Sequence, residues 1–357
     1  MKKIKVLVVG CGNMGSSHAR AYDKLEEFDL CGIVDARPEA VSAFNESVGK
    51  NYAHFSDFGI ALSATNPDAV AICTYPDTHE QLAVMAMLRG CHVFVEKPIA
   101  ATVDGARRVA EFAKRLNKKV VVGYILRHHP SWIKFIEVAK TLGKPLVMRM
   151  NLNQQSHGKA WEVHKHLLNA LTPIVDCGVH YIDVMCQMTA AKPVRVSGIS
   201  ANLSDELPSD KRNYGQLQVS FEDGSVGWYE AGWGPMMSTN AFFVKDVIGP
   251  KGCASICADK ASSDDKSDDV GSHTKTEKIR VHFSDTNSNG DFSKPDEWID
   301  NADEPTHDDL CVREQLFLYN AIVEDKDLSQ HINDAINSLA VALAADESAR
   351  TGKTVEL

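Results

Sequence analysis

Hydrophobic and polar positions change their period about a third of the way along the chain, and that change divides the sequence into two regions. In the first region, short apolar, β-branched runs alternate with stretches of helical spacing. Ile4–Val9, Leu30–Val34, Ala69–Cys73, His92–Val95 and Val120–Tyr124 read as buried strands, and Ser16–Leu25, Pro38–Val48, Thr78–Arg89 and Ala106–Asn117 as helices. Such alternation predicts parallel strands joined by crossover helices, a doubly wound sheet of six strands. After Tyr124 a helix over Pro130–Leu142 leads into period-two segments, Leu146–Asn153, Tyr214–Phe221, Gly224–Trp233 and Phe242–Ile248, expected to pair mostly antiparallel. A polar Ser- and Asp-rich stretch, Asp259–Asp309, predicts long surface loops around one or two strands. The chain closes on an amphipathic helix over 330–350 and a short strand at Thr354–Leu357. The expected organisation is α/β. Residues 1–124 are expected to form the doubly wound domain, and residues 125–357 a separate α+β domain with a mostly antiparallel sheet.

Composition narrows the function. The chain has 357 residues, 44% hydrophobic and 24% charged, which suits two folded domains and excludes a small stapled module or a disordered chain. A net charge of -10 argues against nucleic acid as the partner. Most of that charge is local, because Asp259–Asp309 holds 15 acidic against 6 basic residues. Nine cysteines, with no CxxC pair, read as reduced thiols in a cytoplasmic protein. The opening MKKIKVLVVGCG imitates an export signal, but Lys5 interrupts its short apolar part. No run reaches the ~18 apolar residues of a membrane helix, so no membrane partner is expected.

The glycine pattern is the first sign of chemistry. VLVVGCGNMG sets Gly10, Gly12 and Gly15 between strand one and helix one, with Asn13 and Met14 inside the loop. Such glycines permit the tight turn, the approach of a pyrophosphate and close helix packing, and the helix N-terminus favours negative charge. Asp35, followed by Ala36, ends the second strand twenty positions after Gly15. A carboxylate there accepts from a ribose diol and repels a 2′-phosphate, so NAD is expected over NADP, although Arg37 lies close enough to tolerate the phosphate.

Four further segments extend the pattern: CTYPDTH (Cys73–His79), VFVEKP (Val93–Pro98), DCGVHYID (Asp176–Asp183) and the closing Asp334–Leu357. Together with the glycine loop they resemble the glucose-fructose oxidoreductase, inositol dehydrogenase and rhizopine-catabolism family, Gfo/Idh/MocA, over nearly the whole chain. The resemblance implies a Rossmann NAD-binding domain over residues 1–124 and a substrate-binding and oligomerisation domain over 125–357 with an open-faced sheet. It also implies NAD(P)-linked oxidation or reduction of sugars, cyclitols or their glycosides, and a homodimer or homotetramer formed through that sheet. It assigns Lys97, Asp176 and His180 to catalysis and sets Thr74, Pro76, His79, Glu96 and Lys97 beside the cofactor. Arg127 and Trp161 match positions that face substrate. The approach to Asp176, HLLNALTPIVD, lacks the glycines common in the family. The same fold also serves non-catalytic NAD- and sugar-binding regulators, a reading that the three catalytic-type residues oppose.

These residue types suit hydride chemistry. Removing hydride from a secondary carbinol requires a proton acceptor, and an imidazole of ordinary pKa near 6.5 exchanges protons at neutral pH. If DCGVHYID is one helix, Asp176, His180 and Asp183 share a face, with Asp176 orienting the ring and Asp183 serving a structural bond. Lys97 supplies a cation for alkoxide character. His157, His164, His166, Asp176 and His180 cluster in sequence, and Asp and His four apart can ligate zinc, but their spacing matches no closed site and no metal is expected. His128 and His129 are expected at the surface or a pocket rim. Trp228, Tyr229 and Trp233 are expected to serve packing.

Overall fold

The structure is a computed structural model and describes residues 3–238, 244–257, 274, 276–300 and 304–357. It comprises two units, Met1–Ile125 with Pro305–Ile336, and Leu126–Glu304 with Asn337–Leu357.

The first unit alternates β1 (Ile4–Val9), α1 (Asn13–Lys24), β2 (Phe28–Val34), α2 (Pro38–Val48), β3 (His54–Phe55), α3 (Phe58–Thr65), β4 (Ala69–Ile72), α4 (Pro76–Leu88), β5 (His92–Val95), α5 (Val103–Leu116) and β6 (Val120–Val122). The strands pair in parallel in the order β3-β2-β1-β4-β5-β6, the six-stranded doubly wound sheet expected from the sequence. Five of these strands coincide with apolar runs in the sequence, and the sixth, β3, has only two residues. Local signals explain the helix ends. Pro38 opens α2 and Gly49 closes it in a left-handed conformation (φ 66°), while Thr102 caps α5 by accepting from the Gly105 N–H.

A single cut at 124/125 misses part of this unit. α10 (His307–Val323), opened by a capping box between Thr306 and Asp309, contributes Leu318, Tyr319 and Ala321 to a core that includes Tyr22 and Phe28. Tyr319 stands edge-on to Phe28 at 5.9 Å. An apolar helix face joins whichever sheet gives it burial, and chain order does not reveal which.

The second unit follows a 3₁₀ turn at Ile125–His128 and contains α6 (Pro130–Thr141), β7 (Val147–Gln154), α7 (Gly158–Leu167), α8 (Pro173–Asp176), α9 (Gly178–Thr189), β8 (Pro193–Ala201), β9 (Tyr214–Phe221), β10 (Val226–Trp233), β11 (Lys245–Gly249), β12 (Gly252–Cys257), β13 (Lys278–Phe283), β14 (Glu297–Asp300) and β15 (Val355–Glu356). The last helix, α11, spans Ser329–Thr351. The nine strands form one sheet, antiparallel except where β10 runs parallel to β7. On one face, α9 stacks Tyr181 on Tyr229 of β10 at 5.0 Å. The opposite face carries Val147, Ile199, Val226, Ile248 and Trp298, each at least 39% exposed. Tyr229 and Trp233 are fully buried, so their role is packing. His129 corrects the surface expectation: it is fully buried and caps α6 by accepting from the Ser131 N–H.

All nine cysteines are free thiols. Two sequence expectations lie partly outside the described residues: the start of Phe242–Ile248, and residues 259–273, 275 and 301–303 of the Asp259–Asp309 stretch. Among the described residues no helix is long and apolar enough to cross a membrane.

Candidate active site

In the first unit, β1 hands the chain to α1 through Gly10, whose φ of 90° favours glycine and where a Cβ would stand 2.6 Å from the Cys73 carbonyl oxygen. At Gly12, by contrast, a Cβ would meet nothing within 4 Å. This space opens at the N-cap of α1, where no side chain caps the helix and the first-turn N–H groups have no intrahelical acceptor. Asn13 is exposed there and Met14 half-buried. An uncapped helix start beside open space fits a pyrophosphate.

Asp35 ties this loop to the end of β2. Its Oδ2 accepts from the Cys11 N–H at 2.7 Å and its Oδ1 from the Arg37 N–H at 2.8 Å. Burial works to raise its pKa, but these N–H groups and the Arg37 guanidinium hold it below the ordinary carboxylate range. Ala36 is exposed next to it. A firmly ionised carboxylate at this position is what discriminates a ribose diol from a 2′-phosphate.

The Lys97 turn is gripped on both sides. Glu96, 6% exposed, accepts the Lys97 N–H on Oε2 at 3.1 Å, and the fully buried His79 donates from Nδ1 to the Pro98 carbonyl at 2.8 Å. The other His79 nitrogen lies 3.0 Å from the Thr74 carbonyl; burial pushes this imidazole below its ordinary pKa, and a neutral ring serves one of the two carbonyls at a time. Thr74 is half-buried and pairs its hydroxyl with Thr78 at 2.7 Å, and Pro76 opens α4. Of the residues expected beside the cofactor, Glu96 thus gives one carboxylate oxygen and His79 one ring nitrogen to the turn that carries Lys97, whose own side chain is half-buried.

The second unit carries Asp176 and His180. The single helix expected for DCGVHYID is broken: α8 ends at Asp176, Cys177 intervenes, and α9 begins at Gly178. Glycine is a poor helix former, which accounts for the interruption, yet Cys177 keeps right-handed dihedrals (φ -92°, ψ -36°) and the backbone winds on. Asp176 is half-buried, with the Cys177 thiol 3.6 Å from its Oδ2, and His180 is 7% exposed in the first turn of α9. Asp183, 1% exposed, has the structural role expected of it, accepting from Arg127 Nε and Gln187 Nε2, each at 2.9 Å, with a second bond from Arg127 Nη2. Arg127, expected to face substrate, is thereby anchored within the fold. Trp161 is 4% exposed, with Lys165 Nζ 5.7 Å from its ring. His164 bonds Ser156 at 2.8 Å and stacks on Trp233 at 4.5 Å. Among the described residues the metal-capable groups that converge are instead His18, Cys311 and Glu314.

Sequence reasoning missed Thr172 and Asp346. Thr172 caps α8 by accepting from the Val175 N–H, and donates its hydroxyl to the Asp346 carboxylate at 2.9 Å. Both line a groove of about 500 Å³ that includes neither Asp176 nor His180. Burial raises the Asp346 pKa to about 6, with the Thr172 bond opposing it. Since the folded pKa lies above the unfolded one, the folded unit binds this proton more tightly and gains stability as pH falls from about 6 towards 4. Asp346→Asn is therefore expected to stabilise the unit at pH 7.5, by up to about 3 kcal/mol, with the difference from the parent fading towards pH 4.5. Tryptophan fluorescence melts report it, because Trp132, Trp161, Trp228, Trp233 and Trp298 all lie in this unit. A variant–parent difference that is the same at both pH values would refute the assignment.

Family models match both units. Residues 4–124 match the oxidoreductase family with NAD-binding Rossmann fold, GFO_IDH_MocA, and residues 135–252 match the GFO/IDH/MocA C-terminal domain. The chain belongs to the Gfo/Idh/MocA family. Membership bears out the family, the fold and the NAD cofactor read from the sequence. An inositol 2-dehydrogenase of Paracoccus denitrificans is 29% identical over 191 residues, 51% of this chain and 53% of that relative. The match thus spans about half the relative's length. A D-glucoside 3-dehydrogenase of Escherichia coli is 24% identical over 273 residues, 73% of this chain and 76% of the relative. The structure of scyllo-inositol dehydrogenase from Lactobacillus casei, solved with NAD(H) and scyllo-inositol, aligns over 99% of each chain with a TM-score of 0.77 at 20% identity, a likeness of fold.

Proposed function

We propose that this Gfo/Idh/MocA protein is an NAD-dependent dehydrogenase that oxidises a secondary alcohol of a cyclitol, sugar or glycoside to a ketone. The observation that carries the proposal is the Lys97 turn, whose backbone is fixed from both sides by buried groups while the lysine side chain keeps partial access. Fixing a cation in this way suits preorganised electrostatic stabilisation. The names of the matched relatives, an inositol and a glucoside dehydrogenase, support the substrate class.

The bound nicotinamide supplies the hydride acceptor. In this reading His180 takes the hydroxyl proton, Asp176 orients the imidazole or holds a neighbouring hydroxyl, and the Lys97 ammonium stabilises alkoxide character. The buried Arg127–Asp183 pair holds the helix that carries His180. Gly12 and the N-terminus of α1, with Asn13 and Met14, receive the pyrophosphate, and Asp35 the adenine ribose. Copies associate through the outward sheet face that bears Val147, Ile199, Val226, Ile248 and Trp298.

Purified protein with NAD and a panel of inositols, hexoses and glycosides should give a rise in absorbance at 340 nm with at least one of them. In light scattering the same preparation should be larger than one chain. Normal NAD binding with no turnover across the panel would remove the dehydrogenase reading, and a single-chain mass would remove the proposed association.

A further inference from the structure

Glu96 is held by a chain of side chains that reaches well beyond the Lys97 turn. Its Oε1 lies 2.7 Å from Nε2 of the fully buried His18. The other ring nitrogen of His18, Nδ1, lies 2.9 Å from Nε2 of Gln315 in α10, and an amide nitrogen can only donate. Nδ1 therefore offers its lone pair and the ring proton sits on Nε2, aimed at Glu96. Tyr22 fixes this polarity by donating its hydroxyl to Gln315 Oε1. The hydrogen bonds run in one direction, from Tyr22 to Gln315 to His18 to Glu96, and the remaining oxygen of Glu96 receives the Lys97 N–H. Tyr22, Gln315 and His18 are each at most 1% exposed. The same bonds leave neither His18 nitrogen for a metal, although His18, Cys311 and Glu314 approach one another.

We propose that His18 and Gln315 are positioning residues for Lys97, fixing the Glu96 carboxylate, which in turn fixes the Lys97 backbone. The proposal rests on the reading of Lys97 as catalytic. The groups facing Glu96 agree with it. His18 comes from α1, Glu314 and Cys311 from α10, Cys73 from the end of β4 and His79 from α4. Burial, with the Glu96 charge, drives the Glu314 carboxyl well above its ordinary range, so it stays neutral. Burial would push Glu96 the same way, but its hydrogen bond and electrostatic interaction with His18, and after them the Lys97 charge and N–H, hold it low. Of two buried carboxyls, the ionised one is the one His18 serves. Without that donor Glu96 takes up a proton, and the turn loses its charged anchor.

The test uses the full chain, NAD and whichever alcohol the panel shows to be oxidised. Gln315→Met and His18→Leu remove the donors and should lower kcat about tenfold or more, leave the KM for NAD within about threefold, and shift the kcat–pH profile by about half a unit or more. His18→Gln keeps an acceptor towards Gln315 and a donor towards Glu96, and should recover turnover to within about threefold of the parent. Unchanged kcat and pH profile in soluble, NAD-binding Gln315→Met and His18→Leu would overturn the proposal, as would a His18→Gln variant as impaired as His18→Leu. If the disrupting variants do not fold, ¹⁵N-histidine NMR of the parent decides. His18 must show an unprotonated Nδ1, and a protonated one overturns the proposal. Lys97→Met keeps the two readings distinct: if it loses turnover while Gln315→Met does not, only the positioning inference fails.

Discussion

Lys97→Met is expected to lower kcat about 10³-fold while NAD binding stays within about threefold of the parent. Methionine keeps much of the length and apolar stem of the side chain and removes only the ammonium. The backbone grip survives, since Glu96 and His79 hold the Lys97 N–H and the Pro98 carbonyl rather than the side chain. The nucleotide loop survives as well, because Asp35 is held by the Cys11 and Arg37 N–H groups and the Gly10 N–H by the Val34 carbonyl. In the proposed relay, what is lost is positive charge where oxyanion character develops, so the effect is expected in kcat before KM. Steady-state kinetics with NAD fluorescence titration separates the two. A variant that retains more than about a tenth of parental kcat would remove Lys97 from the proton relay. The experiment also addresses a regulator on the same fold, for which the substitution has no turnover to abolish.

The first unit is more legible in the sequence than the second because its signals are local. Pro38 and Gly49 delimit α2, and Gly10, Gly12, Gly15 and Asp35 mark the nucleotide loop within a few dozen residues. Alternation locates β9 to the residue at Tyr214–Phe221. Side-chain bonds between distant positions leave no such trace. Gln315 and His18 are 297 positions apart, and nothing in the local pattern of α10 shows that it packs with the first unit. The helix break at Cys177 escapes for a different reason, since Asp176 and His180 keep helical spacing whether or not the hydrogen-bond ladder continues between them. A structural bond can be expected of Asp183, but nothing near it in the chain names Arg127 as its partner, which only the 2.9 Å bond and shared burial reveal.

That pair carries the largest stability effect expected. Asp183→Asn should destabilise the second unit by about 3–5 kcal/mol, because it strips the counter-charge from an Arg127 guanidinium only 13% exposed while preserving side-chain size. The cost is that of a cation left in the interior, and it exceeds what the pair itself contributes, since two charges had first to be desolvated to form it. Arg127→Met with Asp183→Leu should therefore be far milder than Asp183→Asn alone, within about 2 kcal/mol of the parent. Urea unfolding followed by tryptophan fluorescence isolates the effect, because all five tryptophans lie in the second unit and Trp132 packs edge-on against Tyr181 of α9 at 5.8 Å. If the single variant unfolds within 1 kcal/mol of the parent, roughly the worth of an exposed pair, the bond is not holding α9. If the double variant is as unstable as the single one, the loss is one of packing, and charge burial is not its cause. His180 stands one turn before Asp183 on the same helix, so the arrangement that stabilises this unit also sets where the proposed proton acceptor is held.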